Sequence, residues 1–501
     1  MSSGARALRV DLVTALTVGG IAAGIVLRVW IMLSSQGALD ADEAVWGLMA
    51  AHVLHGHLTT FYWGQAYGGT QETLVAAALF WVFGQSTAAL KTAPILFWAV
   101  ATVLLWRVGR RTLGEPRARL AAALFWLWPI YFVWKSTRAH GFYGAGLVFG
   151  LWAMLAALRL REQPARRDVV SLGLALGLGL WATPEVAILG LPAVLWLVWS
   201  RPALLRRAPL ALSAFVLGSL PWWIYNLRHA WGSLRTGQDE ESKYGHLHNL
   251  VVATLPTALG LRLPFSLHWL PGATVGAVVY ALLLAGFAWL LVRRPPGLGL
   301  VLLTAVTFPV LYVVSPYTWL NTEPRYLTLV SPVIVLLVAS AARRSWQALA
   351  VFAAAATVSF GGLAVMVRDD LAAAHAEGVA LPANFGPLLR TLEANGVRHV
   401  WATYWIAYRI TFESGERIVA AEPGSNRFGV RAGRVVGIGQ EAARPAGNGR
   451  YAPYQLEVAR SRDAAYVVTA AGNLEPVVRP ALRRAGYRLV RTGVFAVWLP
   501  P

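Results

Sequence analysis

Apolar runs recur along the first 367 residues, parted by short clusters of arginine, and many exceed the roughly 18 residues that mark a membrane span. The clusters are Arg107, Arg110, Arg111, Arg117 and Arg119; Arg159, Arg161, Arg166 and Arg167; Arg201, Arg206 and Arg207; Arg293 and Arg294; and Arg343 and Arg344. Backbone groups in hydrocarbon must satisfy one another, so the spans are helices. Basic clusters between spans mark cytoplasmic loops. The net charge of +20 is therefore read as topology, and no nucleic-acid partner is expected. With 57% hydrophobic and 14% charged residues, the chain reads as a multi-pass membrane protein. Zero cysteines exclude disulfides, thiolate metal sites and cysteine nucleophiles. The first apolar run is too long for a signal peptide and lacks a small-residue cleavage site, so it is expected to stay as a helix.

Placing every arginine cluster on the cytoplasmic side gives eleven spans, at about residues 10–33, 88–106, 120–135, 141–158, 169–183, 185–199, 208–224, 272–292, 298–314, 326–342 and 346–367. The N-terminus is then cytoplasmic and residues 34–87 form a long first outer loop. Residues 71–84 are apolar but too short to span, and they read as a helix lying on or dipping into the outer face. Residues 250–265 fit either description. The expected organisation is an α-helical polytopic membrane domain over 1–367, a linker over 368–380, and a small soluble extracytoplasmic α/β domain over 381–501. In that last part helices are expected at 385–395, 407–414 and 476–485, with strands at 399–403, 417–421, 465–469 and 493–499. Tyr404-Trp405-Ile406-Ala407-Tyr408-Arg409 reads as core and helix start. No Gly-x-Gly-x-x-Gly and no Walker pattern occurs there, so no nucleotide site is expected.

Only thirteen carboxylates precede Arg368, and Asp40, Asp42 and Glu43 crowd the end of the first span. Charge is costly near lipid, so such a cluster is a candidate site; its bland alternative is solvation of a helix end. On this topology Glu72, Glu185, Asp239, Glu240, Glu241 and Glu323 are also outside, in the company of Lys135, Arg138, His140, Arg325, His246 and His248. Glu72 could equally favour a helix dipole, Glu185 cap a helix, and Glu323 pair with Arg325. His246 and His248 with the acids at 239–241 form a weak metal pattern. Arginine and lysine hold phosphate oxygens, and a nearby carboxylate can take a proton from an acceptor hydroxyl. Nucleotide sugars are scarce outside the cytoplasm, so an outward-facing transferase would use a lipid-linked donor.

Asp-Glu after the first span, a long outer loop ending in a surface helix, and Pro221-Trp222-Trp223 ending the seventh span resemble the GT-C glycosyltransferases. Within them the chain is similar to the protein mannosyltransferase and aminoarabinose transferase group, users of dolichyl- or polyprenyl-phosphate sugars. The resemblance covers roughly residues 10–230; beyond it, Thr322-Glu323-Pro324-Arg325-Tyr326 is the one landmark. It implies Asp42 as catalytic base, with Glu43 beside it and Glu72 as a second carboxylate where relatives carry a Pro-Pro motif. It implies Arg138, His140, Lys135 and Arg325 as phosphate-binding residues, with Asp40, Glu185 and Glu323 in support. Histidine at 140 and Ala182-Thr183-Pro184-Glu185 depart from the family pattern, the second by losing a lysine. A divalent cation, Mg2+ or Mn2+, would have Asp40, Asp42 and Glu72 as candidate ligands. The function implied is transfer of a sugar from a polyprenyl-phosphate donor to a hydroxyl of a glycan, lipid or protein acceptor at the extracytoplasmic face of the plasma (inner) membrane, with inversion.

Two other classes compete. A flippase for a lipid-linked glycan should carry ionisable residues in mid-membrane and repeated halves, whereas the charges here sit at span ends. A polysaccharide polymerase or ligase would rely on Arg and His in a late loop, a character partly present at 225–249.

Overall fold

The computed structural model describes residues 3–235, 243–315, 318, 320, 322–422, 430–431, 434–435 and 449–501. The chain forms the expected apolar helical bundle and small C-terminal sheet, and it divides into two compact units. The first comprises Met1–Ile31, Ala66–Glu72 and Pro94–Leu371; the second comprises Met32–Gln65, Thr73–Ala93 and Ala372–Pro501.

Among the described residues five helices are long and apolar enough to cross a membrane alone: Leu12–Leu33, Thr87–Thr112, Phe142–Glu162, Ala273–Arg293 and Ser345–Arg368. The other expected spans are shorter or divided, mostly by proline, which lacks the N–H a helix needs and crowds the preceding turn. Pro129 separates Glu115–Leu127 from Ile130–Lys135. Ala208–Gly218 gives way to Leu220–Arg228 just before Pro221, and Ser331–Ala341 starts with Pro332 near its first turn. Pro184–Ser200 and Pro202–Gly218 meet at 116°.

Two devices hold the first unit's helices together. Where Pro129 interrupts the ladder, the carbonyls ending Glu115–Leu127 lose their partners within the helix. Arg28 supplies one, donating from Nη1 to the Trp126 carbonyl at 2.7 Å with its guanidinium 3.7 Å above the Trp126 ring. The second device is a Gly-x-x-x-Gly seam at Gly173 and Gly177 of helix Arg166–Ala182, which packs on Ala208–Gly218. Small residues let backbones approach closely. A Cβ on Gly177 would lie 2.1 Å from the Phe215 carbonyl oxygen, and one on Gly173 2.2 Å from that of Ala211.

In the second unit a five-stranded sheet runs Val419–Ala421, His399–Ala402, Ala465–Thr469, Phe495–Leu499, Arg488–Thr492. The first three strands are parallel, and Phe495–Leu499 is antiparallel to both neighbours. Ala465–Thr469 and Phe495–Leu499 are buried along their whole length, which is why each reads as a nearly continuous run of large and small apolar residues, with Thr469 closing the first. The expected strands and helices form, and to them are added the edge strand Arg488–Thr492, the helix Ala452–Arg460 and two short antiparallel pairs, His375–Ala376 with Val379–Ala380 and Val430–Arg431 with Arg434–Val435. The helix expected at 407–414 starts three residues earlier, at Tyr404.

Helix Tyr404–Glu413 packs against Ala41–Leu54, which belongs to the same unit. Gly47 makes the approach close: a Cβ there would meet the Phe412 ring at 2.3 Å. Arg409, fully buried, ties the other side down by donating to the Pro382 and Ala383 carbonyls and pairing with Glu413 at 2.8 Å.

The seam at Gly177 yields a direct expectation. Gly177→Ala inserts a methyl against backbone that cannot swing aside, and should cost about 1–3 kcal/mol. A lower unfolding midpoint in detergent, with Gly286→Ala (open space at that position) unchanged, would be the measurement.

Candidate active site

Asp40 is the N-cap of helix Ala41–Leu54, and it forms a capping box with Glu43: Glu43 N–H donates to Asp40 Oδ1 at 2.8 Å, and Asp40 N–H to Glu43 Oε2 at 3.2 Å. The other Glu43 oxygen accepts from Lys91 Nζ at 2.6 Å, and this ion pair is fully buried. Two of the three clustered acids are therefore engaged in building the helix start. Asp42 lies between them with its side chain 40% exposed.

Asp42 is not solvated passively. Tyr62 Oη donates to Asp42 Oδ1 at 3.2 Å, Tyr404 Oη donates to the same oxygen, and the two hydroxyls are 3.2 Å apart. Arg450 brings Nη2 to 4.0 Å from Oδ1, donates from Nε to Tyr404 Oη at 3.4 Å, and lies over the Tyr62 ring at 5.1 Å. Burial, and after it the charge of Asp42, raises Tyr404 well above the usual tyrosine range, so its hydroxyl stays protonated as a donor. Close by, His52 Nε2 and Tyr454 Oη meet Glu416 Oε1 at 3.0 and 2.5 Å, and Trp63 stacks on Tyr451 at 4.1 Å.

The first unit holds a second polar cluster. Glu72, the second residue of helix Gln71–Phe83, is buried and accepts from the Ala145 N–H at 3.1 Å. Burial pushes its carboxyl up to about 8, against the opposing pull of backbone N–H groups and of Lys135. Lys135 Nζ is 2.7 Å from His140 Nδ1 and 4.3 Å from the Tyr143 ring centroid. Arg325 pairs with Glu323, whose other oxygen accepts from Tyr131 Oη at 2.9 Å. Burial would raise Glu323, but the charges of Arg325 and Lys135 and the hydrogen bonds from Arg325 and Tyr131 together outweigh it and hold the carboxyl below its usual range. Glu185 follows the Thr183 cap, whose Oγ1 accepts from the Glu185 N–H at 3.2 Å. The Arg138 guanidinium lies 5.2 Å from the Trp134 ring.

Thus Glu72, Lys135, His140, Glu185, Glu323 and Arg325 gather in one unit, and Asp40, Asp42 and Glu43 in the other. Among the described residues no three His, Cys, Asp or Glu side chains converge as a metal site. Asp239, Glu240 and Glu241 lie outside the described residues; His246 Nδ1 is bonded to Thr318 Oγ1 at 3.1 Å. Glu115, Glu162 and Asp168, all at helix ends, pair with Arg119, Arg111 and Arg159. Tyr62, Tyr404, Arg450 and Lys91 are absent from the sequence reading of the site. No spacing rule links Tyr404 to an acid 362 residues away, and Lys91 is hidden inside an apolar span.

This fold has known counterparts. The pattern of the dolichyl-phosphate-mannose-protein mannosyltransferase family matches residues 73–225. The fold is that of the GT-C glycosyltransferases. It superposes on ArnT from Cupriavidus metallidurans in the apo state with a TM-score of 0.65 at 14% identity, over 97% of this chain and 98% of that one. The same protein bound to undecaprenyl phosphate gives 0.61 at 13%, over 99% of this chain and 98% of that one. An oligosaccharyltransferase from Archaeoglobus fulgidus, in complex with Zn and sulfate, gives 0.52 at 14%, over 95% of this chain and 72% of that one. No curated protein matches the chain by sequence.

The Glu43–Lys91 pair generates a prediction. Breaking a buried pair from one side typically costs about 3–5 kcal/mol, because it strands a charge. Lys91→Met should therefore lower the unfolding midpoint sharply, and the double variant Glu43→Gln, Lys91→Met should recover most of the loss.

Proposed function

We propose that this protein is an integral membrane glycosyltransferase that moves a sugar from a polyprenyl-phosphate donor to a hydroxyl acceptor on the extracytoplasmic face. The observation carrying the reading is the half-exposed Asp42 carboxylate, fixed at a helix start by two tyrosine hydroxyls in a chain with the GT-C fold. In the step proposed, the acceptor oxygen bonds to the anomeric carbon while the bond from that carbon to the phosphate oxygen breaks. The acceptor proton goes to Asp42, and the electron pair leaves with polyprenyl phosphate. Attack opposite the leaving group inverts the anomeric carbon. Lys135, His140, Arg138 and Arg325 are assigned to the phosphate, Arg by its planar fork and Lys as a point charge. Glu72, Glu185 and Glu323 are assigned to holding those cations. The oligosaccharyltransferase counterpart was solved with Zn, and a divalent cation belongs to the reading only as a candidate partner of Asp40 or Asp42. No step above depends on one.

The test is release of polyprenyl phosphate in proteoliposomes from a panel of donors carrying mannose, glucose, galactose or a pentose. Wild type should turn over at least one of them, and Asp42→Asn should fall by on the order of 10²-fold or more. Turnover that survives Asp42→Asn keeps the class and moves the base, with Glu72→Gln next. If wild type neither transfers nor hydrolyses any donor, a polymerase, ligase or flippase becomes the better reading.

A further inference from the structure

The C-terminal segment reaches Asp42 through Tyr404 and Arg450, and Tyr404 makes the hydrogen bond. We infer that Tyr404 is a positioning residue for the reaction: its hydroxyl holds Oδ1 of Asp42 and so turns Oδ2 toward the acceptor hydroxyl. The inference rests on the glycosyltransferase reading with Asp42 as base. Its ground is geometric. Among the described residues, the contacts made with the Asp42 carboxylate by Tyr62, Tyr404 and Arg450 fall on Oδ1, while the side chain remains 40% exposed. A carboxylate gripped on one oxygen presents the other in a fixed direction.

Tyr404 is directed rather than merely adjacent. A phenol has one proton to give; Tyr404 Oη accepts from Arg450 Nε and gives its proton to the Asp42 carboxylate, the stronger acceptor of its two neighbours. The helix bearing Tyr404 is itself pinned at three places. Its N-cap, Thr403, donates from Oγ1 to Glu377 Oε1 at 3.3 Å, and the other Glu377 oxygen accepts from both N–H and Oγ1 of Thr469 at 2.7 Å. Arg409 anchors the middle of the helix and Phe412 its end, against Gly47. A hydroxyl on so fixed a support can set the angle of a base, and an error of about 1 Å in a reacting group costs on the order of 10²-fold in rate.

The experiment uses the full-length protein in proteoliposomes, with release of polyprenyl phosphate from whichever panel donor wild type turns over best. Tyr404→Phe keeps the ring and removes the hydroxyl. It should lower kcat by on the order of 10- to 100-fold, with donor KM and unfolding midpoint near wild type. Added to Asp42→Asn it should cost nothing further, because the group it positions is gone; a residue that only supports packing would subtract again. The idea is overturned if Tyr404→Phe keeps wild-type kcat, if only KM rises, or if the losses multiply in the double variant. Full activity in Asp42→Asn would sink the underlying reading instead, and is seen in a separate arm. Should Tyr404→Phe not fold, Tyr62→Phe removes the other hydroxyl on Oδ1 and carries the same expectations.

Discussion

Everything distinctive in the second unit depends on how closely helix Tyr404–Glu413 can lie on helix Ala41–Leu54. Gly47 permits that approach and Phe412 fills it. A protein interior is packed nearly as densely as an organic crystal, so a contact of this kind fixes the two helix axes to within a fraction of an ångström. The hydroxyl of Tyr404 reaches Asp42 because of that spacing. The polar contact is the visible part of the site, and the apolar contact two turns along is what makes it reproducible.

The same unit shows how unequally a cluster of acids is engaged. Asp40 and Glu43 satisfy orphan N–H groups at the helix start, and Glu43 also balances a buried ammonium. Asp42 faces outward between them and is spared both tasks. Buried charge elsewhere is handled in the same way, by giving each ion a specific partner. Arg409 has Glu413, Glu323 has Arg325, and Arg28 has a carbonyl that a proline left without its helical partner.

Much of this was legible in the chain itself. The apolar runs announced the helical bundle, and alternating short strands and helices announced the C-terminal sheet. Hidden breaks were harder to see, because a proline at 129 or 221 interrupts the backbone ladder without interrupting hydrophobicity. The edge strand Arg488–Thr492 escaped notice since its arginines dilute the apolar pattern, which is also what protects an exposed edge. Of the site, the acids stood out because carboxylates are rare in this sequence. A tyrosine is at home in an apolar stretch where a carboxylate is not, and a hydroxyl that matters looks like any other until folding joins residues 42, 62, 404 and 450.

The second unit is stitched from three stretches, and roughly 280 residues separate Ala93 from Ala372. A ribosome adding about 5–20 residues each second needs on the order of half a minute to cross that gap. For that interval the helix bearing Asp42 exists without the helix that later orients it. On the proposed function, competence is thus withheld until the last quarter of the polypeptide is made, a form of quality control written into chain order rather than into any inhibitor.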